Sequence, residues 1–217
     1  MSEGEKGLTL KGWERRERKS ILSRIRGRIR PEPLGERVSK SIYRLRTLLR
    51  KMNESVSKLQ HREKDLFQKC VRAQEMKDPA TAAIYANECA QVRKIVKTTL
   101  GSQLALEQVV TRLETVKNFG DLASNIGPVT NVVHSLRDKL VGIVPEMAYG
   151  LEKVGETLDE LVMSVGETTG QTINLEAASP EAQRILDEAT ELAEQRMKER
   201  FPVLPGIPTA EKKTKPI

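Results

Sequence analysis

Residues 38–77 read VSKSIYRLRTLLRKMNESVSKLQHREKDLFQKCVRAQEMK, and their spacing decides the fold. One seam position recurs every seven residues as Val38, Leu45, Met52, Leu59, Leu66 and Ala73. The position four further on holds Ile42, Leu49, Val56, Glu63, Cys70 and Lys77. Ten of these twelve are apolar or thiol, with Glu63 and Lys77 the exceptions. A 4-3 repeat sustained over this length fits a helix and not a strand. Its period of 3.5 residues keeps the stripe facing one partner helix.

Lys77-Asp78-Pro79 interrupts the run. Asp78 can accept a hydrogen bond from a new first turn, and Pro79 suits a first helical position, where no N–H is needed. The next helix carries Tyr85, Val92, Thr99, Leu106 and Leu113 on one seam and Ala82, Cys89, Val96, Gln103 and Val110 on the other. Two long helices joined by so short a turn run antiparallel, so residues 36–118 are expected to form a hairpin. At 1.5 Å rise per residue each arm is roughly 60 Å long. With the turn at Asp78 and Pro79, Cys70 and Cys89 are expected to face each other. They make no CxxC, have no His at ligand spacing, and read most simply as small seam residues. Glu63 and Gln103 are candidate register markers that do not face each other. Each would need its own partner, a neighbouring subunit being one source.

Only 3% of the 217 residues are aromatic and 31% are charged, which favours helix-on-helix packing over a wide core. No apolar run approaches the ~20 residues that span a bilayer. The N-terminus has no apolar signal region, so a cytoplasmic protein is expected. The net charge of +7 is segregated: residues 1–60 carry 17 Lys/Arg against 7 Asp/Glu, and residues 151–200 carry 5 against 12. Two such regions can attract each other or outside partners of opposite sign.

Residues 1–35 read as a basic amphipathic leader. Trp13 precedes Arg15, Arg16, Arg18 and Lys19, and Ile21, Leu22, Ile25 and Ile29 alternate with further arginines. An apolar stripe beside an arginine-rich face suits a membrane interface, where anionic lipid attracts each Lys/Arg by about 1 kcal/mol. A leader that docks on its own protein or stays mobile is the competing reading. Nucleic acid is the weaker one, because the stacking aromatics are missing.

Beyond the hairpin, Phe119-Gly120-Asp121 and Ile126-Gly127-Pro128 mark a junction. Helices three and four are expected within 128–165. Their stripes are Val129, Val132, Val133, Leu136, Leu140 and Ile143, then Met147, Leu151, Val154, Leu158, Leu161, Val162 and Val165. Residues 166–179 read as a linker. Ser179-Pro180-Glu181 reads as an N-cap, a first-turn proline and a first-turn acid. The fifth helix, 180–200, sets an apolar stripe (Ala182, Ile185, Leu186, Ala189, Leu192, Ala193, Met197) against five acids. It can dock and release, and its charge suits the basic first arm. In the tail, 201–217, prolines 202, 205 and 208 forbid a helix and favour an extended segment. Such a segment fits a partner's groove, or is simply a frayed end. No phosphate loop, nucleophile–base pair or metal cluster is visible, so neither an enzyme nor a cofactor is expected.

This order of elements resembles the ESCRT-III family, and within it the archaeal cell-division proteins of the CdvB type from the Sulfolobus group. The strings that carry the resemblance are Leu10-Lys11-Gly12-Trp13, Ser41-Ile42-Tyr43-Arg44-Leu45, Tyr85-Ala86-Asn87-Glu88 and Leu113-Glu114-Thr115-Val116 with Phe119-Gly120. It spans roughly residues 8–208. The family's proline motif, apolar-Pro-x-apolar-Pro-x-x-Pro, is met by Phe201, Pro202, Leu204, Pro205 and Pro208. In the family that segment binds the MIT domain of an AAA ATPase, CdvC in archaea. The resemblance implies an all-α fold: a long hairpin, shorter third and fourth helices, and a detachable fifth helix that covers the hairpin in a closed monomer. It also implies homo- and hetero-polymers with other ESCRT-III paralogues. These would assemble on anionic membrane at the division site, on the inner face of the plasma membrane. CdvB itself carries a C-terminal winged-helix-like segment for its recruiter. This sequence ends at Ile217 without one, so a short paralogue is expected. A BAR-like curvature scaffold and a nucleic-acid-associated coiled coil are the rivals.

Overall fold

The computed structural model describes residues 32–119, 122–170 and 173–204. The described residues from Leu34 onward belong to one compact unit. Five helices appear among the described residues, with no strand: α1 (Leu34–Glu75), α2 (Pro79–Phe119), α3 (Leu122–Leu140), α4 (Pro145–Thr169) and α5 (Ser179–Arg200). The fold is all-α and ESCRT-III-like.

The hairpin is α1 and α2. Its turn forms as the local chemistry requires: Asp78 Oδ1 accepts from the Thr81 N–H at 3.0 Å, and Lys77 takes the left-handed conformation at φ 59°. On α1, Val38, Ile42, Leu45, Met52, Val56 and Leu66 are buried, while Leu49 and Leu59 are half-buried. The arms are offset from the expected register. The Cys70 thiol donates to the Ala82 carbonyl at 3.4 Å and the Cys89 thiol to a Glu63 carboxylate oxygen at 3.2 Å. The two cysteines therefore do not face each other, and neither is in a disulfide. The first arm ends at Glu75 and the second begins at Pro79, so the turn centres on Lys77 and not on Asp78 and Pro79.

α2 is buried on two faces. One holds the seam residues Val92, Val96, Leu106, Val110 and Leu113. The other holds Leu100, Leu104, Ala105, Val109 and Val116, because α2 is covered both by α1 and by α3 and α5. α4 lies along α1 and α3. A ladder seven residues apart ties it to α1: Arg37 to Glu160 at 2.8 Å, Arg44 to Thr157 at 3.1 Å and Lys51 to Glu146 at 2.7 Å. Gly150 lets the two helices close, since a Cβ there would lie 2.4 Å from Leu48 Cδ2.

Three boundaries differ from the sequence expectation. α3 begins at Leu122, so Pro128 lies inside the helix rather than at its start. The proline loses one backbone hydrogen bond, but the turn before it buries Ile126 and Gly127 in the core. Ala178 seats on Gly127, where a Cβ would meet it at 3.1 Å. α4 continues to Thr169 and ends on Gly170 in the left-handed conformation (φ 68°), which shortens the linker. Ser179 is not the N-cap; that position is Ala178, with no side-chain cap. The local turn is instead held by Asn174, whose Oδ1 accepts from the N–H groups of Glu176 (2.9 Å) and Ala177 (3.2 Å).

The core is graded along the hairpin. A five-helix cluster includes Leu45, Met52, Leu106, Leu113, Leu136 and Leu158. A second cluster joins Val56, Leu66, Cys89, Val92 and Val96 to Leu204. A third, near the turn, has only Cys70, Ala73, Ala82 and Ala86 as its buried members.

Candidate functional site

The features that could work as controls are α5 and the chain after it, both docked on the hairpin. α5 buries Ala182, Ile185, Leu186, Ala189 and Ala193 against α2 and α3. Leu192 of the expected stripe stays exposed and Met197 is half-buried. Small residues allow close approach: a Cβ on Gly101 would lie 3.6 Å from Ala193 Cβ. Two ion pairs flank this contact, Lys97–Glu194 at 2.6 Å and Arg112–Glu181. The Lys97 ammonium, by hydrogen bond and by charge, holds the Glu194 carboxyl below its ordinary range. Both cations belong to the second arm. The acidic helix thus docks on α2 and α3 and not on the basic first arm, because the apolar face it needs is the second face of α2. Between α4 and α5, Asn131 Nδ2 donates to the Leu175 carbonyl at 2.7 Å, which fastens the linker to α3.

The chain leaves α5 at Phe201, whose N–H donates to the Met197 carbonyl at 3.0 Å before the backbone turns extended. Three arms of contact meet at Arg93 of α2. Its Nε and Nη2 reach Glu63 Oε1 of α1 at 2.7 and 2.6 Å. Its Nη1 donates to the Pro202 carbonyl at 2.6 Å. Its guanidinium carbon lies 5.3 Å from the Phe201 ring centroid and 5.8 Å from that of Phe67. Leu204 is buried on Val56, Leu66, Val92 and Val96. Glu63 therefore has its partner in its own chain, not in a neighbouring subunit. The Cys89 thiol under it is pushed up to about 12, first by burial and then by the Glu63 carboxylate it donates to. Gln103, the other polar seam residue, is half-buried and donates to Glu107 on its own helix at 3.1 Å.

Of the MIT-motif positions, Phe201, Pro202 and Leu204 are described, while Pro205 and Pro208 lie outside the described residues. So do all the leader positions expected to meet membrane: Trp13, Arg15, Arg16, Arg18, Lys19, Ile21, Leu22 and Ile25. No helix among the described residues is long and apolar enough to cross a membrane, and none of them forms a metal-binding group of His, Cys, Asp or Glu. His134 Nε2 lies 3.0 Å from Asp159 Oδ1 across α3 and α4.

Over 175 residues the chain is 44% identical to Cell division protein B1 of Sulfolobus acidocaldarius, covering 81% of this chain and 82% of that protein. The chain belongs to the CdvB family. It is also 30% identical over 176 residues to Cell division protein B of the same organism, covering 81% of this chain and 67% of that protein. No family model matches the sequence, and no solved structure matches it. The CdvB relationship therefore rests on sequence identity along most of the chain, and the five-helix arrangement agrees with it.

Sequence reasoning found α5 and the proline segment but not the surface that receives them. Phe67 and Arg93, both off the seam, were the available signal. An aromatic and an arginine at matching heights on the two arms are unusual in a chain so poor in aromatics.

Proposed function

We propose that this CdvB-family chain is a non-catalytic filament subunit that polymerises on membrane and remodels it during cell division. The observation that carries this reading is the docked α5. A helix that buries only two large side chains, Ile185 and Leu186, beside three alanines, and is flanked by two partly exposed ion pairs, is built to come off. Removing it bares the second face of α2, including Leu100, Leu104 and Ala105, for another subunit. The membership of cell-division proteins in the family supports the cellular role. In this reading the leader binds anionic lipid on the inner face of the plasma membrane at the division site. The segment Phe201–Pro208 engages the MIT domain of the AAA ATPase CdvC, which disassembles the polymer.

The test is co-sedimentation with anionic vesicles followed by electron microscopy. Large filaments on vesicles, increased by truncation after Thr172, are the expected result. A chain that stays a fixed dimer would favour a BAR-like scaffold, and one that binds DNA more tightly than vesicles at equal salt would favour a nucleic-acid role. Either result would replace the filament reading.

A further inference from the structure

We propose that the hairpin carries a docking site for the chain's own Phe201–Leu204 segment, centred on Arg93, and that this site competes with the ATPase for that segment. The competition rests on the MIT reading above; the docking site does not.

The selectivity of the contact is visible in which residues it takes. Leu204 is 9% exposed and Phe201 is half-buried, whereas Val203 between them is 80% exposed. The site thus reads Phe-Pro-x-Leu and ignores the x. Those are the same apolar positions that the proline motif supplies to a groove. Pro202 has no N–H, so its carbonyl is the one backbone hydrogen-bonding group it offers, and Arg93 takes it at 2.6 Å.

Arg93 is oriented before the segment arrives. Glu63 is 6% and Arg93 15% exposed at the side chain, and their pairing fixes the guanidinium plane across the two arms. A planar fork can bond a carboxylate on one edge and a carbonyl on another while its face meets aromatic rings. Phe67 on α1 and Phe201 on the tail take up that face. An ammonium could pair with Glu63 but could not make all of these contacts together. A cleft beside the contact, lined by Gln60, Lys64, Gln68 and Arg200, leaves its outer side open to solvent.

Side chains buried on the hairpin cannot at the same time be buried in a second groove. The affinity of any partner for this segment is then its intrinsic affinity scaled by the undocked fraction. α5 and the ATPase handle become one device. While α5 is seated, Phe201 follows it directly and is delivered to Arg93; once α5 leaves, the handle leaves with it.

The experiment uses the full chain with 4-fluorophenylalanine at its three phenylalanines, the Arg93→Lys variant, and a free nonapeptide of residues 200–208. Circular dichroism checks that the variant keeps its helices. In the wild type the Phe201 fluorine resonance should sit away from its position in the free peptide, and Arg93→Lys should move it most of the way there. An isolated MIT domain should bind the peptide roughly tenfold more tightly than the full chain, if about a tenth of the chain is undocked. Arg93→Lys should recover most of that difference. A wild-type Phe201 resonance at the free-peptide position, or one that Arg93→Lys leaves in place, overturns the docking site. Equal affinity of the MIT domain for chain and peptide overturns the competition. A peptide that does not bind the MIT domain while Phe201 stays displaced overturns the ATPase reading and the competition together, and supports the docking site alone.

Discussion

Replacing Ile185 by alanine tests whether α5 is a separable cover. Of the five residues α5 buries, only Ile185 and Leu186 are large; the other three are alanines. Ile185 is 1% exposed, so its truncation removes a fully buried side chain. Ile-to-Ala changes of this kind cost about 3 kcal/mol, with a wide spread set by how far the cavity collapses. At 1.4 kcal/mol per decade the docked-to-undocked ratio of α5 should fall roughly 100-fold. Amide hydrogen exchange followed by mass spectrometry reads this directly. Backbone amides between residues 183 and 197 should exchange about 100-fold faster, as local opening predicts. Amides in the distal arms, from Cys70 to Ala86, should keep their rates, because the cluster there has no member from α5 or the chain after it. Leu192→Ala is the control, since that side chain is already exposed and should change little. If the distal arms lost protection by the same factor as α5, the helix would be part of one cooperative unit. The reasoning about a reversible cover would then be wrong.

Gly150→Ala places a Cβ 2.4 Å from Leu48 Cδ2 and forces that side chain to turn aside; overpacking of about 1–3 kcal/mol is set against about 1 kcal/mol of helix propensity gained, so denaturant melts should show a net loss of up to about 2 kcal/mol, and a raised midpoint would refute the close approach. Cys89 should resist iodoacetamide at pH 8, because burial and the Glu63 carboxylate raise its thiol to about 12. Labelling as fast as a small free thiol, read by mass spectrometry, would contradict that environment. Acid should weaken, without releasing, the docking of α5 on α2 and of α4 on α1. Lys97 holds Glu194, and Lys51 holds Glu146, below the ordinary carboxylate range. A depressed folded value means the contribution is complete above the ordinary pKa and lost as pH falls through the folded one. Exchange of α5 amides, corrected for intrinsic rates, should therefore rise modestly as pH falls below the ordinary carboxylate value of 4.5; a flat profile would count against the ion pairs.

α1 was legible because its seam toward α2 is covered over a full set of heptads, while α4 adds cover only beside its first half, at residues such as Leu48, and so leaves the period clean. α2 was legible only on the side facing α1. Its second stripe, Leu100 to Val116, faces α3 and α5, and a helix buried on two sides loses the phase that marks a face. The start of α3 was hidden by Gly127-Pro128, which reads as a break. Local chemistry favours stopping there, but packing of Ile126 and the approach of Ala178 to Gly127 outweigh it. The acidic helix was visible as an element, yet its charge pointed to the wrong arm, because exposed ion pairs follow apolar docking and do not direct it. The tail's recognition residues could be named from their spacing. Their seat at Arg93 could not, since it joins residues 109 apart in sequence.

The smallness of the turn-proximal cluster bears on how long the arms need to be. Cys70, Ala73, Ala82 and Ala86 interlock too little to set a register. Alignment of the arms is fixed near the other end, where Leu45, Met52, Leu106 and Leu113 are held among five helices. Arm length is therefore an adjustable dimension. Deleting one heptad from each arm between the second cluster and the turn would shorten the lever by about 10 Å and leave the five-helix end as it was. Deleting a heptad from one arm alone would leave its side chains facing the right way but opposite the wrong neighbours.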